Sequence, residues 1–318
     1  HRGYEGVITN ISPKTTFSPP IFKIGGEKVF KIGIGQIVDH PALNDARQGF
    51  KDALSKAGIK AEFEETVANG EMATQTLQMQ QFLKSKKDLV YAITTPTSQA
   101  AKSQITDIPV VIAAVTDPQG AGLVGVPNIT GTSGAAPTKE NLEMMRKVFP
   151  DAKKIGIIYN SSEQNSVSEV KTLNELAKNY GFEVVEKAVT NGTELVSAAN
   201  ILVKDIDLYY AIQDNTVSSY FPTLLEITDK HKIPVFATNN VYTNRGGLIS
   251  QGATDYEIGY RAGEIAVEIL KNGKKPSEIP IETIKNLKIE INRKNMEMLG
   301  IKIPEDVLKQ ATYTEDKK

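Results

Sequence analysis

From Val29 onward, short apolar runs alternate with longer amphipathic ones. Lys31–Gly35 reads as a strand, followed by a helix over Ala42–Ala57 that ends at Gly58. Ile59–Thr66 then predicts a strand, Glu71–Lys84 a helix, Leu89–Ile93 a strand, Ser98–Gln104 a short helix and Pro109–Val115 a further strand. Strands that alternate with helices imply a parallel sheet covered on both faces.

The same order then recurs. KIGI at 154–157 echoes KIGI at 31–34, and GFEV from Gly181 echoes GIKA from Gly58. Asn191-Gly192 echoes Asn69-Gly70, and IPV from Ile233 echoes IPV from Ile108. DLYYAI at 207–212 matches DLVYAI at 88–93 in five of six places, and all these offsets fall between 119 and 125 residues. One echo is weak evidence, but five in order predict two similar α/β lobes. Three irregular stretches, Gly131–Pro137, Ser250–Thr254 and Glu282–Asn286, are candidates for chain crossings at a hinge. The boundaries that follow are 29–134 plus 252–284 for one lobe and 135–251 plus 285–312 for the other. Residues 1–28, broken by Pro13, Pro19 and Pro20, read as a linker or added arm, and 313–318 as a frayed polar tail.

Composition narrows the function classes. A length of 318 residues suits two domains, and a formal charge of −1 gives no electrostatic case for nucleic acid. The absence of cysteine excludes disulfides, thiolate metal sites and cysteine nucleophiles. His1, His40 and His231 are too scattered for a zinc site, so neither metal nor cofactor is expected. No apolar run is long enough to span a bilayer, and a start at His rather than Met suggests a processed form whose export signal has been removed.

In open parallel sheets, ligands gather beyond the carboxyl ends of the strands, where strand order reverses. Gln36, Asp39, His40 and Asn44 follow the first strand. Gly33 and Gly35 lack the further glycine of a dinucleotide fingerprint, so Gln36 and His40 are candidates for a smaller ligand, while Asp39 and Asn44 equally suit helix capping. After the third strand, AITTPTSQA at 92–100 carries Thr95, Thr97 and Ser98, with Pro96 fixing one backbone angle. A helix start offers free N–H groups and partial positive charge, and three hydroxyls beside Thr94 exceed what one cap needs, which predicts a carboxylate here. Thr116 and Asp117 close the next strand, and Asp117 either caps a turn before Pro118 or receives an ammonium group.

The second half supplies Ser161, Glu163, Gln164 and Asn165 after its first strand, then Asp214 and Asn215 in the counterpart of the 92–100 stretch. Asn239 follows the next strand, and Asp255 precedes a long helix through Leu270. Donors on one lobe facing acceptors on the other would fit a zwitterion, of which an amino acid is the commonest small one. No GxSxG elbow occurs, and nothing marks Asp117 and Asp214 for acid–base work, so binding is favoured over catalysis.

The sequence resembles a type I periplasmic-binding-protein fold, specifically the substrate-binding lipoproteins of ABC transporters in the group associated with tryptophan and tyrosine uptake. The stretches that carry the likeness are KIGIGQIVDHPALNDARQGF (31–50), AITTPTSQAA (92–101), AAVTDPQGAGLV (113–124), NITGTSG (128–134), IIYNSSEQNS (157–166), IQDNTV (212–217), FATNN (236–240) and GATDYEIGYRAG (252–263). The resemblance covers residues 30 to 310 and implies two doubly wound lobes joined by a three-strand hinge, closing on a free aromatic amino acid, tyrosine before tryptophan or phenylalanine. It implies that the 95–98 turn holds the carboxylate, that Asp214 and Asp117 receive the ammonium, and that Gln36, His40 and the 161–165 loop surround the ring. It further implies a monomer on the extracellular face of the membrane, a lipid anchor whose cysteine is not in this chain, and a permease partner; an adhesin role could coexist. The alternatives are an α/β enzyme acting on a small metabolite and the sensor half of a transcription regulator, the latter disfavoured because residues 1–28 hold no helix-turn-helix.

Overall fold

The computed structural model describes residues 28–316. All of the arm read over 1–28 except Lys28 lies outside the described residues, as do Lys317 and Lys318. The first sheet takes β1 (Val29–Gln36), β2 (Lys60–Val67), β3 (Leu89–Ile93), β4 (Val110–Val115), β5 (Ile129–Ser133) and β11 (Glu282–Thr283) in the order β11-β5-β4-β3-β1-β2. Every pairing within it is parallel. The second takes β6 (Lys154–Asn160), β7 (Glu183–Val189), β8 (Leu208–Ala211), β9 (Val235–Ala237), β10 (Ile249–Gly252), β12 (Lys288–Ile291) and β13 (Thr312–Tyr313) in the order β13-β12-β10-β9-β8-β6-β7. Only β10 with β12 is antiparallel there.

Both sheets are covered on two faces, because buried strands present apolar side chains to both sides. On one face of the first sheet, α1 (Pro41–Lys56) and α10 (Asp255–Leu270) bury Phe50, Leu54, Ala262 and Ile265. On the other, α2 (Met72–Lys84) and α3 (Thr95–Gln104) bury Met79, Phe82, Ala100 and Ala101. In the second sheet α4 (Thr138–Val148) and α5 (Gln164–Ala177) cover one face through Leu142, Met145 and Leu173. The opposite face is covered by α6 (Gly192–Leu202), α7 (Asn215–Ser219) and α8 (Phe221–Lys230), with α9 (Asn240–Asn244) after β9. Strand order reverses between β1 and β3 in one sheet and between β6 and β8 in the other, which places the switch points beside Gln36, Thr94, Asn160 and Asp214.

The repeated sequence marks have repeated physical causes. Asp88 and Asp207 each accept backbone N–H groups from the start of the neighbouring strand: Lys31 at 2.8 Å, and Lys153 and Lys154 at 2.8 and 2.9 Å. The middle glycine of each KIGI lets a side chain seat against the strand. A Cβ on Gly33 would stand 2.7 Å from the Phe82 ring, and one on Gly156 2.5 Å from Ile206. These glycines serve packing, consistent with the missing dinucleotide fingerprint.

The chain passes between the sheets after β5, after β10 and between β11 and β12, within or next to each of the three stretches read as crossings. Two details differ from the sequence expectation. α3 starts at Thr95 rather than Ser98, because Pro96 is tolerated in a first turn where its missing N–H has no ladder partner. The expected frayed end is instead ordered: Thr312–Tyr313 pairs in parallel with Glu290–Ile291, and the Arg293 guanidinium lies 4.0 Å over the Tyr313 ring. Glu315 then accepts the N–H groups of Arg293 and Lys294 at the start of α11 (Arg293–Leu299), supplying the anion that a helix start favours.

Gly33→Val should force the fully buried Phe82 from its place and cost about 1–3 kcal/mol of stability. Thermal unfolding followed by circular dichroism should show a lower midpoint; an unchanged midpoint would mean that the contact is slack.

Candidate functional site

At the end of β1 the Gln36 amide, 1% exposed, is committed within its own lobe. It donates to Val38 O at 2.8 Å and to Asn44 Oδ1 at 2.9 Å, and accepts from Arg47 at 3.0 Å. His40 is the N-cap of α1, its Nδ1 accepting the Ala42 N–H at 3.1 Å, which puts the proton of the neutral ring on Nε2. Burial, then the charge of Arg245 on the second lobe, hold its pKa below the ordinary histidine value against the pull of Asp39. The Arg245 charge thus acts on His40 from the other lobe.

The turn after β3 is strained. Thr94 has φ +74°, outside the range that suits a β-branched residue, and its buried Oγ1 has no hydrogen-bond partner. Ala114, at the end of the adjacent β4, also has positive φ, at +58°. The Thr97 hydroxyl turns inward to Gln75 Oε1 at 2.7 Å, and the Ser98 hydroxyl to Thr94 O at 2.7 Å. The first ladder bond of α3 runs from Ser98 N–H to Thr94 O, so the N–H groups of Thr95, which is half-buried, and Thr97, which is fully buried, precede the ladder. The hydroxyls counted in the sequence thus brace the turn, and the donors are backbone groups beside the unpartnered Thr94 oxygen. Asp117 is exposed and caps its own turn, accepting Gly120 N–H at 2.9 Å, with half-buried Thr116 before it.

The second lobe is organised around Asp214. Its carboxylate, 2% exposed, accepts Asn160 N–H at 2.7 Å, the Ser166 hydroxyl at 2.6 Å and Val217 N–H at 2.9 Å, the last as N-cap of α7. Glu163 lies against it, receiving Asn215 N–H at 3.1 Å and the Asn215 amide at 2.6 Å. Burial, then the Asp214 charge, push the Glu163 carboxyl up to about 7. Asn165 donates to Gln213 O at 2.9 Å, while Ser161 and Gln164 are exposed at the rim. Beneath them Glu169 is 6% exposed and neither of its carboxyl oxygens has a partner. Burial, then Asp214, push it up to about 8.

At the hinge, Asn239 caps α9 through Val241 N–H at 2.8 Å and donates to Asp255 Oδ2 at 2.9 Å, joining the end of β9 to the start of α10. Burial raises the Asp255 carboxyl to about 6 against that bond. Arg245, absent from the sequence candidates, is held by Ser218 O at 2.8 Å and lies over the rings of Phe221 and Tyr242. A lone cation in a Thr-Asn-Arg-Gly-Gly loop carries no pattern that would single it out. Glu169 did carry one, since it falls on the buried stripe of α5 with Ser166, Val170 and Leu173. A separate groove of about 940 Å³ lies between α10 and residues 281–286, which include β11, and its Arg261 is already paired in two bonds with Glu282 at 2.8 Å. Among the described residues, no group of histidines and carboxylates is placed to hold a metal ion, and no helix is long and apolar enough to cross a membrane.

Known proteins share the sequence pattern and the fold. The sequence pattern of the ABC transporter substrate binding proteins matches residues 31–315. A tyrosine-binding protein of Clostridioides difficile (strain R20291) is 37% identical over 308 residues, covering 93% of this chain and 88% of its own. Among solved structures, a Streptococcus pneumoniae ABC domain in complex with L-Trp superposes with a TM-score of 0.78 at 33% identity, covering 89% of this chain and 99% of that one. A ligand-free, open substrate-binding protein with adhesive properties from Clostridium difficile gives 0.76 at 38% identity, covering 89% and 98%.

The Glu169 carboxyl gives stability a definite pH dependence. Its folded pKa lies above its unfolded value, so the native state keeps a proton that the unfolded chain releases. Stability should therefore fall as pH rises from about 4.5 through about 8, by on the order of a few kcal/mol at most. Glu169→Gln should unfold at a higher temperature than the parent at pH 8.5, with the gap closing toward pH 4.5. An equal gap at both pH values in differential scanning calorimetry would show that Glu169 does not carry the effect.

Proposed function

The chain belongs to the ABC transporter substrate-binding protein family, whose members bind solutes rather than transform them, and on that premise we propose that it captures a free aromatic amino acid between its lobes. Tyrosine is favoured, then tryptophan and phenylalanine, and closure of the hinge delivers the ligand to a membrane permease. The protein acts as a monomer on the extracellular face of the cell membrane, held there by a lipid.

The opposite polarity of the two switch points carries this proposal. The first lobe offers a donor, the N–H of half-buried Thr95 beside Thr94 Oγ1, at the positive end of a ten-residue helix. The second offers acceptors, Glu163 and Asp214, near neutral or negative charge. An α-amino acid laid across the cleft satisfies both at once, carboxylate toward α3 and ammonium toward the acids. Three protein donors already use Asp214, and a carboxylate has about four acceptor sites, so one more donor can be received. The ring then lies near His40 and Arg245. The C. difficile tyrosine-binding protein and the L-Trp complex agree with an aromatic side chain.

Isothermal titration against the twenty amino acids tests this, with L-tyrosine expected to bind most tightly. N-acetyl-L-tyrosine lacks the ammonium and tyramine the carboxylate, and each should bind at least about a hundredfold more weakly, since a buried group left unpaired costs a few kcal/mol. Binding of no amino acid at all would end the proposal, and N-acetyl-L-tyrosine binding as well as L-tyrosine would end the assignment of the acids.

A further inference from the structure

The three crossings between the lobes are tied in different ways. The first is held to its own lobe: Gly134 N–H donates to Val115 O at 2.8 Å, and Ala135 N–H to Ser133 Oγ at 3.0 Å. The third is loose, since exposed Lys285 and Asn286 make no hydrogen bond with any described residue. The second runs from Gly252 at the end of β10 to Asp255 at the start of α10, and a buried side-chain bond closes it. Asn239 Nδ2, from the end of β9, donates to Asp255 Oδ2 at 2.9 Å, and the two residues are 3% and 6% exposed. A second pair crosses between the lobes, Lys288 with Glu257 at 3.9 Å, but a solvated pair at that distance contributes little.

Each end of the Asn239–Asp255 bond is fixed to its own lobe. α10 is clamped to α1, because a Cβ on Gly49 would run into Tyr256 O and one on Gly259 into Ala46 O. Asp255 therefore moves with the first lobe. On the other side Asn239 Oδ1 accepts Val241 N–H at 2.8 Å as the cap of α9. A Cβ on Gly252 would run into Thr238 O, so β9, β10 and the Asn239 turn move as one body. Ala253 and Thr254 are all that separates the two bodies along the chain here, so a turn about this point displaces neither bonded group far. Breaking the bond would leave a buried carboxyl short of a donor, which is costly.

We propose that Asn239 and Asp255 are the pivot of the hinge: positioning residues that keep their bond in the open and closed states, restrict the angles that the ligand-free lobes sample, and touch no ligand. Their place beside strand ends made both candidates for ligand contact, and the bond gives them this other role. Lobes at a competent angle bind tightly, so a chain that samples more angles binds every ligand more weakly by one common factor. That readout rests on the amino-acid function proposed above, whereas the shape of the ligand-free chain tests the pivot separately.

Asn239→Asp keeps a good cap for α9 and sets two carboxyls against each other. Adding Asp255→Asn restores a donor–acceptor pair with the roles exchanged. At pH 7.5, small-angle X-ray scattering of the ligand-free full chain should give a larger radius of gyration for Asn239→Asp than for the parent, and the parent value for the double variant. Calorimetric titration should show Asn239→Asp binding L-tyrosine and L-tryptophan about tenfold more weakly, by the same factor for each. The double variant, and Asp255→Asn alone, which keeps an acceptor oxygen, should bind within about threefold of the parent. Unchanged shape and affinity in Asn239→Asp overturns the inference, as does a double variant that recovers neither. A larger loss in Asp255→Asn alone also overturns it, by making the Asp255 charge a ligand contact. Should Asn239→Asp fail to fold, the double variant reads the same bond by itself. If the parent binds no amino acid, the proposed function falls and scattering decides the pivot alone.

Discussion

The Asp214 carboxylate is the point on which the candidate site depends. It accepts from the end of β6, from the first turn of α5 and from the first turn of α7 within 2.9 Å, so a single buried group fixes three elements at a switch point. A buried charge is tolerated when its lone pairs are met by donors, and backbone N–H groups at a helix start meet them with the helix dipole behind them. That arrangement also sets the electrostatics around it. Burial first, and then the charge of Asp214, raise the carboxyls of Glu163 and Glu169. The acceptor character of the lobe is thus a consequence of how its loops are tied.

The first lobe reaches the opposite polarity through strain. Thr94 and Ala114 hold left-handed backbone conformations at adjacent strand ends, where a side chain with a Cβ costs of order 1–3 kcal/mol. Such conformations persist only where the surroundings over-determine them. Here Thr94 N–H is bonded to Ala113 O, and Thr94 O receives both the Ser98 N–H and the Ser98 hydroxyl. The hydroxyls of Thr97 and Ser98 therefore serve as braces of the strained turn. One lobe thus carries strain at its switch point and the other a buried acid. The Asn239–Asp255 bond shows the lobes meeting through polar groups.

The fold was legible because its signals are local and repeated. KIGI, the Asp-Leu-x-Tyr-Ala-Ile runs and the Ile-Pro-Val runs recur because each lobe poses the same problems. A strand must let a neighbouring side chain approach, as at Gly33 and Gly156, and an N–H at its start must be met, as by Asp88 and Asp207. The polar stretches after the strands were legible for a similar reason, since parallel sheets leave their carboxyl ends to loops. The closing strand at Thr312–Tyr313 was not, because two polar residues carry no period and become a strand only when β12 offers an edge. The effect of the Arg245 charge on His40 was equally hidden, since 205 positions of sequence separate the two.

By itself the sequence determined two α/β lobes, three crossings and the residue types at the switch points, because period, duplication and composition are properties of neighbours along the chain. The tertiary structure alone decided which atoms of those residues are spent. It turned the Thr97 and Ser98 hydroxyls inward, left Thr94 Oγ1 and the Glu169 carboxyl without partners, and filled three of the acceptor sites of Asp214. Hydrogen-bond satisfaction depends on what lies within about 3 Å in space, and no pattern along the chain encodes that distance.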